Sequence, residues 1–186
     1  MHSLSLQKPT KKISSTRLSK TKRVLALVVT SGIMVSLGCS QSETYRPHRY
    51  EATVVKTEYG IPHITAESWG SLGFGEAYTA AEDHICNMAL ALVQSRGESA
   101  AVFGPGPRNR NLSRDIVVKA LGIPERAGEA LAAQEPQIKE WVEGYTAGYN
   151  QFVNERAGKF GSWCNDATWV RPVTACLLYT SPSPRD

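Results

Sequence analysis

The chain has 186 residues, 41% of them hydrophobic and 20% charged. That length and balance suit one domain with its own core and exclude a disordered polypeptide. The formal charge of +4 is unevenly placed: Lys8, Lys11, Lys12, Arg17, Lys20, Lys22 and Arg23 all precede residue 24, with no acid among them. Without those seven, 14 basic residues face 17 acidic ones, a net of −3, so a nucleic-acid partner is not expected.

The basic start runs into Val24–Leu37, an uncharged and mostly apolar stretch ending at Gly38-Cys39. It is too short to span a bilayer and has the order of a secretory leader, so residues 1–38 read as a signal peptide. Ser36-Leu37-Gly38-Cys39 resembles a bacterial lipobox with its first two residues in reversed order. Cys39 is therefore the candidate lipid attachment site. The plainer reading is an ordinary signal peptide with an incidental Cys. With Ser40 rather than an acid after the Cys, the expected location is the periplasm, anchored to the outer membrane. Export permits disulfides. Of Cys86, Cys164 and Cys176, the first two lie in well-patterned sequence and form the candidate pair, two buried thiols being the alternative.

Residues 39–49 read as a tether. Glu51–Glu58 is β-branched and loosely alternating, a strand; Tyr59-Gly60 is a turn; Ile61-Pro62-His63-Ile64 is extended, and Pro62 makes it short or places it at an edge. The period then becomes helical. Phe74, Ala77, Tyr78 and Ala81 form one face, and Ile85, Met88, Ala89, Leu92 and Val93 form the next, with a bend or a shared polar edge at Glu82-Asp83-His84 and a stop at Gly97. Gly70, Gly73 and Gly75 are costly inside a helix, by about 1 kcal/mol each, and imply close approach of another backbone. Gly104–Pro107 is a loop. Short helices are expected over Leu112–Leu121 and Glu125–Gln134. A longer helix begins at Pro136, with Ile138, Trp141, Val142, Tyr145, Tyr149, Phe152 and Val153 on one face. Residues 176–186 carry no element period, end in Ser-Pro repeats and resemble translated sequencing-adapter sequence, so they read as a non-native tail. A genuine disordered tail is the alternative.

The exported part contains no nucleophile elbow, zinc helix or Walker loop. The four histidines, His2, His48, His63 and His84, have no metal spacing. Glu82, Asp83 and His84 suit a hydrogen-bonded helix junction better than acid–base chemistry. Ser71 and Ser162 follow glycines, but Ser71 lies in helical sequence and Ser162 is followed by Trp163. No catalytic, cofactor-binding or metal residue is assigned.

Four motifs in order carry a resemblance. They are Tyr59-Gly60-Ile61-Pro62-His63-Ile64, Ser95-Arg96-Gly97-Glu98, Gly144-Tyr145-Thr146-Ala147-Gly148-Tyr149-Asn150, and Cys164 ahead of Trp169-Val170-Arg171-Pro172. Residues 50–175 resemble the front of the α subunit in the penicillin acylase family, nearest the branch of aculeacin A and acyl-homoserine-lactone acylases. The resemblance supports the Cys86–Cys164 pairing. It implies an α+β fold, a fragment of the αββα N-terminal-nucleophile hydrolase sandwich, mostly helical here with one or two N-terminal strands. It also implies a precursor that cuts itself into α and β chains. The Ser that begins β attacks an amide of a penicillin, lipopeptide or acyl-homoserine lactone, with its own α-amine as base. The β subunit is the implied partner, no catalytic cofactor is implied, and a structural calcium occurs in some members. On this reading the nucleophile lies beyond Asp186 and the 186-residue chain is inert. A periplasmic lipoprotein that binds acyl groups without catalysis is the rival reading, and a purely structural helical lipoprotein is another.

Overall fold

The computed structural model describes residues 10–15 and 50–179. The apolar run Val24–Leu37, Cys39, the tether and residues 180–186 lie outside the described residues. Among those described, three strands form one antiparallel sheet in the order β1 (Lys11–Ser14), β2 (Glu51–Lys56), β3 (Pro62–Thr65). β2 alternates as its sequence requires, burying Ala52 and Val54. β3 is an edge strand whose Pro62 sits opposite Lys56 at the end of the ladder, where a missing N–H costs least. The sheet holds three strands rather than one or two, because residues 11–14, assigned by composition to the leader, pair with β2 and bury Ile13.

Six helices follow: α1 (Trp69–Ser95), α2 (Ser99–Phe103), α3 (Arg110–Ala120), α4 (Ile123–Ala132), α5 (Pro136–Arg156) and α6 (Ala175–Tyr179). Ser68 caps α1, its Oγ accepting from the Ser71 N–H at 3.1 Å. Gly97, at φ +62°, ends the turn after it. Three elements were not legible as such: α2, a 3-10 turn at Pro107–Asn109, and α6. The last falls at the start of the segment read as a tail without an element, and Leu177 and Leu178 pack against the core. These pieces are one or two turns long, too short for periodicity to register.

The core is built where α1 crosses α5. A Cβ on Gly144 would stand 1.8 Å from the Gly70 carbonyl oxygen, one on Gly148 2.2 Å from that of Phe74, and one on Gly73 2.3 Å from that of Trp141. The two backbones therefore touch directly. The apolar face expected on α5 omitted Gly144 and Gly148, which make this contact. The opposite side of α1 lies on the sheet at Gly75, where a Cβ would meet Ala52 at 2.7 Å and Ile64 at 2.9 Å. Around the crossing, Phe74, Tyr78, Tyr149 and Phe152 are buried, and the Tyr78 and Phe152 rings meet edge-on at 5.6 Å.

A disulfide joins Cys86 of α1 to Cys164, which lies in the irregular segment after α5. Both residues are buried. Closing a loop of 78 residues removes chain entropy from the unfolded state worth about 4.5 kcal/mol in the loop-closure model.

Burial holds the phenols of this core neutral. It raises Tyr149 to about 12. Burial, then the hydrogen bond from Tyr78 Oη to Glu155 at 2.7 Å, raise Tyr78 further. Such a group stays protonated in the fold after it ionises in the unfolded chain. Its stabilisation is complete below pH 10 and disappears as pH climbs through the folded value.

Four outcomes test this packing. Gly144→Ala should cost at least about 3 kcal/mol, lowering Tm by roughly 10 °C in calorimetry, because a backbone oxygen cannot move aside. Gly128→Ala, in α4 with only Cys176 Sγ at 3.8 Å, should instead stabilise by about 1 kcal/mol. In urea melts between pH 9 and 12 the wild-type chain should lose stability with rising pH. Tyr149→Phe should flatten that slope by roughly 2–3 kcal/mol over the window, leaving the parts due to Tyr78 and Tyr145, which burial also raises. Finally, dithiothreitol should lower the Tm of the wild-type chain and leave a Cys86→Ala/Cys164→Ala variant unchanged. Equal responses in both would show that the bond contributes nothing.

Candidate functional site

The polar cluster singled out in the sequence sits where α1 breaks. His84 has non-helical dihedrals, φ −138° and ψ 23°. The break turns Glu82 and Asp83 toward cations of the sheet. Lys56 Nζ is 3.1 and 3.2 Å from the two Asp83 oxygens and 3.7 Å from Glu82, and Lys11 also pairs with Glu82. Both carboxylates are thus matched by lysines, and His84 is exposed. A cavity of about 200 Å³ opens beside them, lined by residues 82–87 of α1 and 160–163 of the following loop. Cys86, with its disulfide, lines it too. His84 and Ser162 both line the cavity, but no hydrogen bond joins them. The ion pairs of Glu82 and Asp83 tie the helix to the sheet.

Ser71 is buried, and its Oγ accepts the Glu51 N–H at 3.2 Å, tying the start of α1 to β2. Ser162 is exposed in a turn. His63 lies exposed on edge strand β3. Among the described residues no three His, Cys, Asp or Glu side chains converge as a metal site. Cys39 lies outside the described residues.

Residues that the sequence offered only as parts of motifs become clasps in the fold, and Asp115, which no motif contains, joins them. Glu98 accepts from Arg96 Nε at 3.0 Å and from Arg171 at 2.8 and 2.9 Å, joining two of the four motifs. Burial pulls the Arg96 guanidinium below its usual range, and Glu98 beside it opposes that shift. Asn150, the last residue of the third motif, holds both backbone groups of Val173. Its Nδ2 donates to the carbonyl and its Oδ1 accepts the N–H, each at 2.8 Å. Asp115 of α3 is buried and accepts the Ser99 and Ala100 N–H groups at 3.0 and 2.6 Å, capping α2 from another helix. No local signal reveals such a cap, because acceptor and donors are 15 or 16 residues apart.

Comparison with known proteins places this scaffold. The family model for penicillin amidase matches residues 51–184. Aculeacin-A acylase of Actinoplanes utahensis is 33% identical over 174 residues, 87% of this chain and 22% of that protein. Acyl-homoserine lactone acylase PvdQ of Pseudomonas savastanoi pv. phaseolicola is 35% identical over 127 residues, 66% of this chain and 16% of that protein. In structure, a thermostable penicillin G acylase from Alcaligenes faecalis superposes with a TM-score of 0.60, covering 70% of each chain at 24% identity. The chain thus spans 16–22% of the length of these curated relatives. Its helices and small sheet match the fold of that penicillin G acylase. On the family match and on the four motifs that build its clasps and glycine crossing, the chain belongs to the penicillin amidase family.

Proposed function

We propose that this chain is the front of the α portion of a precursor acylase, an amide hydrolase that removes an acyl chain from an acylated amide. The observation that carries this reading is the use of the family motifs. Each is spent on scaffold: a hairpin, a helix stop with its Glu98 clasp, a glycine crossing with its Asn150 clasp, and a disulfide-held segment. Among the described residues none is placed as a nucleophile with its base. Chemistry of this family would then require a Ser at the start of a β chain. Its hydroxyl adds to the amide carbonyl while its own α-amine takes the proton, the amine product leaves, and water releases the acid from the acyl-enzyme. Backbone and Asn donors would hold the oxyanion. The chain's own role is to form part of the framework on which that β chain sits.

Penicillins, lipopeptides and acyl-homoserine lactones are the substrate classes in view, the last two favoured by the relatives that the chain resembles at 33–35% identity. The leader would direct the protein to the periplasm, with Cys39 lipidated at the outer membrane. The described residues do not provide a calcium site, so no step is assigned to one.

The test is direct. The 186-residue chain, incubated with penicillin G, a lipopeptide and a long-chain acyl-homoserine lactone, should release no amine detectable by fluorescamine. The gene read onward through a Gly-Ser-Asn junction should yield two chains and turnover. Amine release by the 186-residue chain would refute its inertness. A continuing frame without that junction, whose product still binds acyl amides, would favour the binding-only reading.

A further inference from the structure

α3 sits in the fold with its polar side inward. Asp115 is buried and accepts the Ser99 and Ala100 N–H groups at 3.0 and 2.6 Å. Asn111 Nδ2 donates to the Gly104 carbonyl at 3.0 Å, and the Asn111 N–H donates to the Pro105 carbonyl at 3.0 Å. At Gly97 a Cβ would stand 3.1 Å from the Asp115 carbonyl oxygen, so α3 lies against the turn that ends α1. These contacts fix the rotation of the helix, and that rotation points its apolar residues outward. Leu112, Ile116, Val117 and Leu121 are each between 43% and 57% exposed. At 3.6 residues per turn they form two neighbouring rows, Leu112–Ile116 and Val117–Leu121. Cations edge both rows, Lys119 beside the first and Arg110 and Arg114 beside the second. All three are exposed, and no salt bridge among the described residues involves them. The acid of α3 is the buried Asp115, so its exposed charge is all positive.

We propose that this face of α3 is a docking surface, and that its occupant is an apolar surface with an acidic edge on the part of the precursor that follows this chain. This rests on the reading of the chain as the front of a longer acylase precursor. Three observations select that occupant. The chain covers only 16–22% of its curated relatives, so on that reading most of the protein lies outside it. Surfaces that are never apart resemble a core cut in half, apolar at the centre with charge at the rim, and this face has that layout. The rim carries one sign, which suits carboxylates opposite. A bilayer with anionic head groups would also attract a cation-edged helix. Yet Ser113, one turn before Val117, is exposed on the same face. Among acyl chains its hydroxyl would lose water and gain no partner, whereas a protein neighbour can supply one.

The experiment uses the full-length protein from the gene read onward, exported behind a cleavable non-lipoprotein signal in place of residues 1–39 and purified without lipid or detergent. Methylene carbene from photolysed diazirine labels it natively and after unfolding in guanidinium, and mass spectrometry reads each residue. Leu112, Ile116, Val117 and Leu121 should label at least about tenfold less in the native protein, as the core residues Phe74 and Tyr149 do. Any smaller reduction at the four would overturn the docking. Protection that appears only when phosphatidylglycerol vesicles are added would assign the face to a membrane. Protection lost on dilution, as a dimer dissociates, would assign it to a second copy. Either result overturns the proposed occupant. With Arg110→Glu/Arg114→Glu, labelling of Val117 and Leu121 should rise about threefold or more, because the acidic edge is now repelled. Unchanged labelling would overturn that edge. The acylase reading fails separately: a protected face without turnover refutes catalysis and leaves the docking, while turnover with a labelled face refutes the docking alone.

Discussion

At the crossing of α1 and α5 there is no room for a single methyl group. The carbonyl oxygens of Trp141, Gly70 and Phe74 lie where a Cβ on Gly73, Gly144 and Gly148 would be, and a Cβ on Gly70 would meet the Tyr50 ring. Glycines inside helices are expensive, on the order of 1 kcal/mol each in propensity, and the cost is offset only by what close approach makes possible. It sets the depth at which Phe74, Tyr78, Tyr149 and Phe152 interlock. It also fixes the far side of α1, where Gly75 meets Ala52 and Ile64. Sheet, α1 and α5 are therefore stacked by contacts in which a backbone replaces a side chain. Interiors packed to crystal density transmit such constraints without slack.

From this stack the rest of the described chain is suspended by side chains rather than by ladders. Residues 157–174 have no helix or strand. They are held by the Cys86–Cys164 bond, by Asn150 on Val173, by Glu98 on Arg171, and by Asn165 accepting the Phe160 N–H at 3.0 Å. Asn150 and Asn165 satisfy backbone groups that an irregular segment leaves without a ladder partner. Glu98, Asn150, Cys164 and Arg171 belong to the four motifs, which here build scaffold.

Some surfaces run the other way. Tyr59 and Ile61 at the hairpin tip are 88% and 59% exposed, and Ile116 and Val117 of α3 are more than half exposed while Asp115 of the same helix is buried. A helix that buries its acid and presents its apolar residues has been shaped by something other than its own core. That is in keeping with a chain spanning 16–22% of its relatives and with the proposal that it works as part of a longer protein.

Sequence alone determined the elements that depend on neighbours along the chain. The β2 alternation, the Tyr59-Gly60 turn, the two faces of α1 and their break at His84, the Gly97 stop and the Pro136 start are all local. Periodicity and backbone stereochemistry act over a few residues. Gly70 and Gly73, expected to admit another backbone, do meet one, while Gly75 meets the side chains of Ala52 and Ile64. Only the tertiary structure decided which backbone that was, because Gly144 and Gly148 add nothing to a count of apolar faces. It alone showed Asp115 as the cap of α2, Glu98 as the meeting point of two arginines, and Lys11–Ser14 as a strand. Apart from the Arg96–Glu98 pair, each of these joins groups from 15 to more than 70 residues apart or draws on a segment whose composition points elsewhere. Such contacts exist only once the chain has folded back on itself.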